Sequence, residues 1–129
     1  MTDKMLNWKK ANESCEATNK HLVVMETERE WRFITNETGK LDTKEDTRYN
    51  EWHIGLFNAS GNWTWVNGKP LTLNKWQKNE PGPDDLYGLI HKNFPEGSYG
   101  TFSSDRGVIK RGYICEQETG KTKSHLGVL

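Results

Sequence analysis

The chain has 129 residues, 28% of them charged and 33% hydrophobic, with a mean hydropathy of -0.94, which bounds it to one polar domain with a modest core. Lysine plus arginine, 18 residues, balances 18 aspartate plus glutamate, and no basic block stands out, so the composition indicates neither nucleic acid nor anionic membrane as a partner. No run of about 18 apolar residues occurs, so no direct membrane insertion by this fragment is expected.

Residues 1–5 form a polar start without the basic patch and apolar core of a signal peptide, and are read as the N-terminal remnant of an excised domain. Asn7 is placed to cap a helix from Trp8 to about Asn19, with Trp8, Ala11 and Cys15 on one face at i, i+3 and i+7. His21 to Met25 is short and apolar, which predicts a buried strand. Thr27-Glu28-Arg29-Glu30 matches a capping box for a second helix that turns Trp31 and Ile34 to the core and stops at Gly39.

Leu41 to Glu51 alternates charges without apolar periodicity and reads as a solvated loop. Trp52, Ile54 and Leu56 then alternate with His53 and Gly55, the pattern of a half-buried strand. Asn58 to Asn62 is a turn cluster, Trp63 to Val66 the returning strand of a hairpin, and Asn67-Gly68 its end. From Pro70 to about Gly107 the chain is rich in turn formers, with one strand expected over Leu86 to His91. A long irregular stretch in a small domain is usually functional. Gly112 to Glu116 reads as the last strand, and residues 118–129 as a polar tail or linker.

Cys15 and Cys115 stand a hundred residues apart. They fit no zinc spacing and no Cys-x-x-Cys motif, which leaves a disulfide pinning the domain ends or two buried free thiols. A bridge closing such a loop contributes about 4.7 kcal/mol in the chain-entropy treatment. Four glycosylation sequons begin at Asn12, Asn36, Asn58 and Asn62, and together with the cysteines they favour an oxidising, extracellular setting. His21, His91 and His125 are scattered, without the i, i+4 pairing of a zinc helix. No nucleophile elbow, Walker loop or His-Glu-x-x-His sequence occurs, so no enzyme is expected.

Several segments, in order, resemble the C-type lectin-like domain family: NWKKANESC its first helix, HLVVMETEREWRFI its next strand and helix, HIGL its Trp-Ile-Gly-Leu strand, WTWVNGKPLTLNKW its hairpin, NEPGPDD its Glu-Pro-Asn loop and GYICE its closing strand. The resemblance covers residues 6–117. It implies an α+β fold, with two helices flanking small antiparallel sheets and a long irregular loop region, and it implies that Cys15 pairs with Cys115. The family's usual second disulfide cannot form, since Tyr87 stands where its first cysteine would fall and Val108 stands near the second. His53 replaces the family's Trp and is read as a neutral, hydrogen-bonded histidine at the edge of the core.

The resemblance also implies a calcium site that binds sugar through the Glu and Asn of Glu-Pro-Asn, a downstream acid and a Trp-Asn-Asp motif. Here Glu80-Pro81 is followed by Gly82, and Ser104 stands where the second Asn belongs. Both amides are gone, while calcium takes six to eight oxygens. Glu80, Asp84 and Asp105 are the residual metal candidates, with Asp85 a further stand-in, and the favoured reading has no cofactor. The expected function is therefore an extracellular binding module of a cell-surface or endocytic receptor, recognising a protein or other non-sugar ligand without calcium. Trp76, Glu80, Tyr99 and Phe102 are its candidate contacts. The alternatives are a calcium-dependent lectin using an atypical Glu-Pro-Gly loop, and a structural spacer among similar domains.

Overall fold

The computed structural model describes residues 5–41, 50–92, 99–119 and 122–124. Most of the charged loop expected from Leu41 to Glu51 and the residue His125 lie outside them. The first helix, α1 (Trp8–Glu16), begins where Asn7 accepts a hydrogen bond from the Lys10 amide. It ends three residues earlier than expected, because Asn19 takes a left-handed conformation (φ 60) and lets the Lys20 amide turn back to Cys15 O at 3.0 Å. Helix α2 (Glu28–Gly39) opens with the predicted capping box of Thr27 and Glu30. Gly39 is its last residue rather than a left-handed stop, and it leaves room for the Tyr99 hydroxyl, which a side chain there would strike.

The strand expected over His21 to Met25 is shorter: β1 (His21–Leu22) pairs antiparallel with β7 (Cys115–Thr119). Val23, Val24 and Met25 continue as fully buried chain. Their backbone is satisfied by Ile114 O, which accepts from the Val23 amide, and by the buried Glu116 carboxylate, which accepts from the Val24 amide at 2.9 Å.

Strand β2 (Glu51–Ala59) is the centre of the molecule. It pairs antiparallel with β3 (Asn62–Trp65) across a Ser60-Gly61 turn in which both residues have positive φ, the geometry that favours a tight hairpin. On its other edge it pairs antiparallel with β4 (Tyr87–His91), while β6 (Gly112–Tyr113) pairs parallel with Trp52 and His53 on the same edge as β3. Trp52 through Leu56 are all buried, so the half-buried strand predicted from alternation is covered on both faces. Gly55 is needed for this: a Cβ there would meet the carbonyls of Leu22 and Val23 at 2.7 and 2.9 Å.

Two elements were not expected. Strand β5 (Phe102–Asp105) extends the sheet beyond β4, and residues 117–119 pair with β8 (Thr122–Ser124), so part of the predicted tail is a hairpin. The result is an α+β fold with a three-stranded sheet, β1-β7-β8, and a five-stranded one built on β3-β2-β4-β5. Its main core gathers Val23, Met25, Ile34, Ile54, Leu56, Trp65, Ile90, Phe102 and Ile114. A second cluster of Trp8, Ala11, Leu22 and Tyr113 surrounds the Cys15–Cys115 disulfide, whose Cα atoms lie 5.6 Å apart. Both thiols are thus accounted for.

Candidate functional site: the loop before β4

The segment before β4 is laid along β5 by its backbone. Phe102 N donates to Lys75 O and Gln77 N to Phe102 O, each at 2.7 Å. This places Glu80, which follows one short turn later with a cis Glu80–Pro81 peptide, beside Ser104. Leu86 N closes the loop onto Asp105 O at 2.9 Å.

Ser104 organises what lies between. Its amide N–H and its Oγ both lie 2.8 Å from Glu80 Oε1, and the Oγ also lies 2.8 Å from Asp85 Oδ2. The same Oγ accepts from the Gly82 amide at 2.9 Å. Gly82 is small for a local reason, since a Cβ would collide with the Asp85 carboxylate. The structure therefore joins Glu80 to Asp85, through a serine whose bridging role the sequence did not announce.

The other acids go elsewhere. Asp84 is 83% exposed and lies 3.8 Å from Arg106. Asp105 accepts from the Gly107 amide through Oδ1 and from Arg111 Nη1 through Oδ2. Arg111 also donates through Nε to Glu51 Oε1 at 2.6 Å, and its side chain is only 9% exposed. His91 completes the network, 3.5 Å from Glu51 Oε2 and 2.7 Å from Ser103 Oγ. Two carboxylates and one hydroxyl thus converge at the loop, without a side-chain amide and with Asp105 held by a guanidinium. These side chains supply fewer oxygens than the six to eight that calcium takes, and among the described residues no three His, Cys, Asp or Glu are grouped to hold a metal.

The aromatic candidates separate. Phe102 is fully buried, so its ring is core rather than a surface contact. Trp76 is half-buried, edge-on to Trp63 at 5.0 Å and to Phe102 at 6.3 Å. Tyr99 is 45% exposed and tethered to α2, its hydroxyl donating to Thr35 O. Sequence reasoning passed over Lys75, which lies 3.8 Å from the centroid of Trp31 and 2.6 Å from Glu28. Its only signal was a lone cation beside an aromatic in NKW.

Tyr87, which the resemblance puts where a cysteine of the second bridge would fall, is packed between two neighbours. Its ring stacks on Trp8 with centroids 4.4 Å apart, and it lies against Gly107. Val108 takes no part in this packing as a buried residue, being 78% exposed. His53 is 1% exposed, and its Nε2 donates to Leu6 O at 2.8 Å. Burial first, and then the Arg111 charge, lower its pKa from 6.5 to about 4, so the ring is neutral at physiological pH. Of the sequons, Asn36 and Asn62 are exposed, whereas Asn58 is engaged with Asp85 O and the Gly61 amide, and Asn12 with Glu16.

The family model described as the lectin C-type domain matches residues 4–117. The chain is 33% identical to asialoglycoprotein receptor 1 of Rattus norvegicus over 122 residues, covering 88% of this chain and 38% of the receptor. It is 24% identical to C-type lectin domain family 4 member M of Gorilla gorilla gorilla, covering 92% of this chain and 30% of that protein. It thus spans about a third of the length of these curated relatives. Among solved structures, the mouse scavenger receptor C-type lectin carbohydrate-recognition domain shares the fold with a TM-score of 0.72 at 19% identity, over 94% of this chain and 87% of that one. The chain belongs to the C-type lectin domain family.

Proposed function

We propose that this domain is the extracellular ligand-binding module of a cell-surface or endocytic receptor, and that it recognises a protein or other non-sugar ligand without calcium. The observation that carries the reading is the Ser104 hydroxyl standing between Glu80 and Asp85. A cation-binding loop keeps its carboxylates free to converge on the ion, whereas here a hydroxyl stands between two of them, its one proton donated to Glu80 or to Asp85 in turn, and Arg111 already compensates Asp105. The receptor setting rests on relatives such as asialoglycoprotein receptor 1, and the extracellular one on the disulfide and the sequons. Trp76 and Glu80 remain at the loop surface as contacts, and the accessible sequons at Asn36 and Asn62 are the positions for glycans. Catalysis has no part in this reading.

The test is thermal unfolding of the purified domain in millimolar calcium and in chelator, paired with a glycan-array screen in both buffers. A ligand at about 100 times its dissociation constant stabilises by about 2.7 kcal/mol, which is several degrees in a domain of this size. Coincident curves and no calcium-dependent glycan signal are expected. A calcium shift abolished by Glu80→Gln would establish the atypical Glu-Pro-Gly lectin instead.

A further inference from the structure

We propose that a second site, the cleft between α1 and the β2–β3 hairpin, binds a small ligand carrying a protonated amine on an apolar, ring-sized body. The cleft is open on one side and offers about 510 Å³, within the range of small-molecule pockets. It shares no lining residue with the loop around Ser104. Its walls are Trp8, Phe57, Val66 and Tyr87, and its rim is Asn12, Glu16 and His21.

The walls are fixed in place by the fold. Trp8 is stacked on Tyr87 at an interplanar angle of 20° and tilted against Phe57 at 6.2 Å. Its indole N–H is spent on Ile54 O at 2.7 Å, so it offers a ligand ring surface and no donor. The rim has the opposite bias. Asn12 Nδ2 donates to Glu16 Oε1 at 2.8 Å, which leaves Asn12 Oδ1 buried as an acceptor without a donor. Glu16 brings a carboxylate that can only accept. His21 Nδ1 lies 2.8 Å from Leu22 O, which anchors the ring to the backbone at the edge of the cleft.

Aromatic surface beside the Glu16 carboxylate and the unmet Asn12 Oδ1 selects a cationic donor. An ammonium group gains both ring attraction and hydrogen bonds. An anion of the same shape meets Glu16 unfavourably, and a neutral hydrocarbon leaves Asn12 Oδ1 unmet. Tyr87, which occupies the position of an absent cysteine, supplies the wall that makes the cleft aromatic.

The probe is phenethylamine, with 3-phenylpropionate as its acidic counterpart, titrated into the domain with the Asn12 sequon unoccupied and followed by two-dimensional NMR. The expected result is saturable shifts at the Trp8 indole and the cleft residues with the amine, and binding at least about tenfold weaker with the acid. Glu16 is exposed, so Glu16→Gln keeps the fold, and it should weaken the amine about fivefold. Equal affinity for amine and acid, no saturable shift, shifts outside the cleft, or unchanged binding in Glu16→Gln would each overturn the proposal.

Discussion

Ser104 reaches one oxygen of Glu80 twice, through its amide N–H and its hydroxyl, both at 2.8 Å. The amide contact belongs to the backbone and survives substitution of the side chain; the hydroxyl contact, with its extension to Asp85, does not. Ser104→Ala should therefore loosen the loop without unfolding the domain. The loss should be about 1–2 kcal/mol, since the groups are only partly buried and water replaces part of what is removed. Urea unfolding checks the size. Faster amide hydrogen exchange at residues 80–86, with β2 and β4 unchanged, checks the place. A loss under about 0.3 kcal/mol would mean the serine is incidental to the loop.

Tyr87 and Gly107 form a second testable pair. Tyr87→Ala removes the ring stacked on Trp8 and should cost about 2 kcal/mol, while Tyr87→Phe keeps the stack and should stay within about 0.5 kcal/mol. Gly107 has φ 94, and a Cβ there would lie 2.5 Å from the Tyr87 ring. Gly107→Ala thus carries both backbone strain and a clash, about 2 kcal/mol together. In the Tyr87→Ala background the clash disappears and about 1 kcal/mol should remain, so the double-mutant cycle should show coupling. Simple additivity would place Tyr87 away from Gly107.

The elements that the sequence made legible are those whose signal is local. Asn7 caps α1, Thr27 and Glu30 form their box, and the hairpin turns within Asn58 to Asn62, because each depends on residues a few positions apart. The resemblance added the long-range pairing of Cys15 with Cys115. Strand β5 was illegible because FSSD has no apolar period: only Phe102 reaches the core, and the strand exists by pairing with β4. Nothing in the Lys110-Arg111-Gly112 run marks Arg111, yet it is 7% exposed because Glu51 and Asp105 meet it from distant and near positions in the chain. At the loop, the missing amides were visible in the sequence. That the loss leaves a serine standing between two acids was not, since Ser104 is 24 residues from Glu80.

His53 gives the domain a defined response to acid. Its surroundings are Arg111, which lowers its pKa, and Asp105 and the Leu6 carbonyl, which raise it, with burial outweighing both. The unfolded chain takes up a proton near pH 6.5, while the folded domain refuses it until about pH 4. The unfolded state therefore binds more protons throughout that window. Stability from this group is complete above pH 6.5 and lost as pH falls toward 4: about 2 kcal/mol by pH 5 and about 3 kcal/mol by pH 4. His53→Met should flatten this part of the profile, and Leu6 O keeps the Arg111 amide as its donor at 3.0 Å. Urea unfolding at pH 7.5, 6, 5 and 4.5 decides it; parallel profiles for both proteins would show that His53 titrates normally.

Arg111 carries the largest predicted cost, because it is the cation between two poorly solvated carboxylates. The side chains of Glu51 and Asp105 are 12% and 17% exposed. Arg111→Met leaves both without the guanidinium, with only His91 near Glu51 and the Gly107 amide on Asp105, which should destabilise by about 3–5 kcal/mol. Arg111→Lys keeps the charge but lacks the fork that reaches both acids at once, so it should recover only part of that. If the penalty comes from unpaired charge rather than lost packing, neutralising the partners should relieve it. Arg111→Met combined with Glu51→Gln and Asp105→Asn should then be more stable than Arg111→Met alone. Calcium provides the complementary readout: with Asp105 released from the guanidinium, a metal-competent loop would regain stability when calcium is added to Arg111→Met. The loop described above, its remaining acids bonded to Ser104, should gain none, and recovery with calcium would return Asp105 to the ligand set.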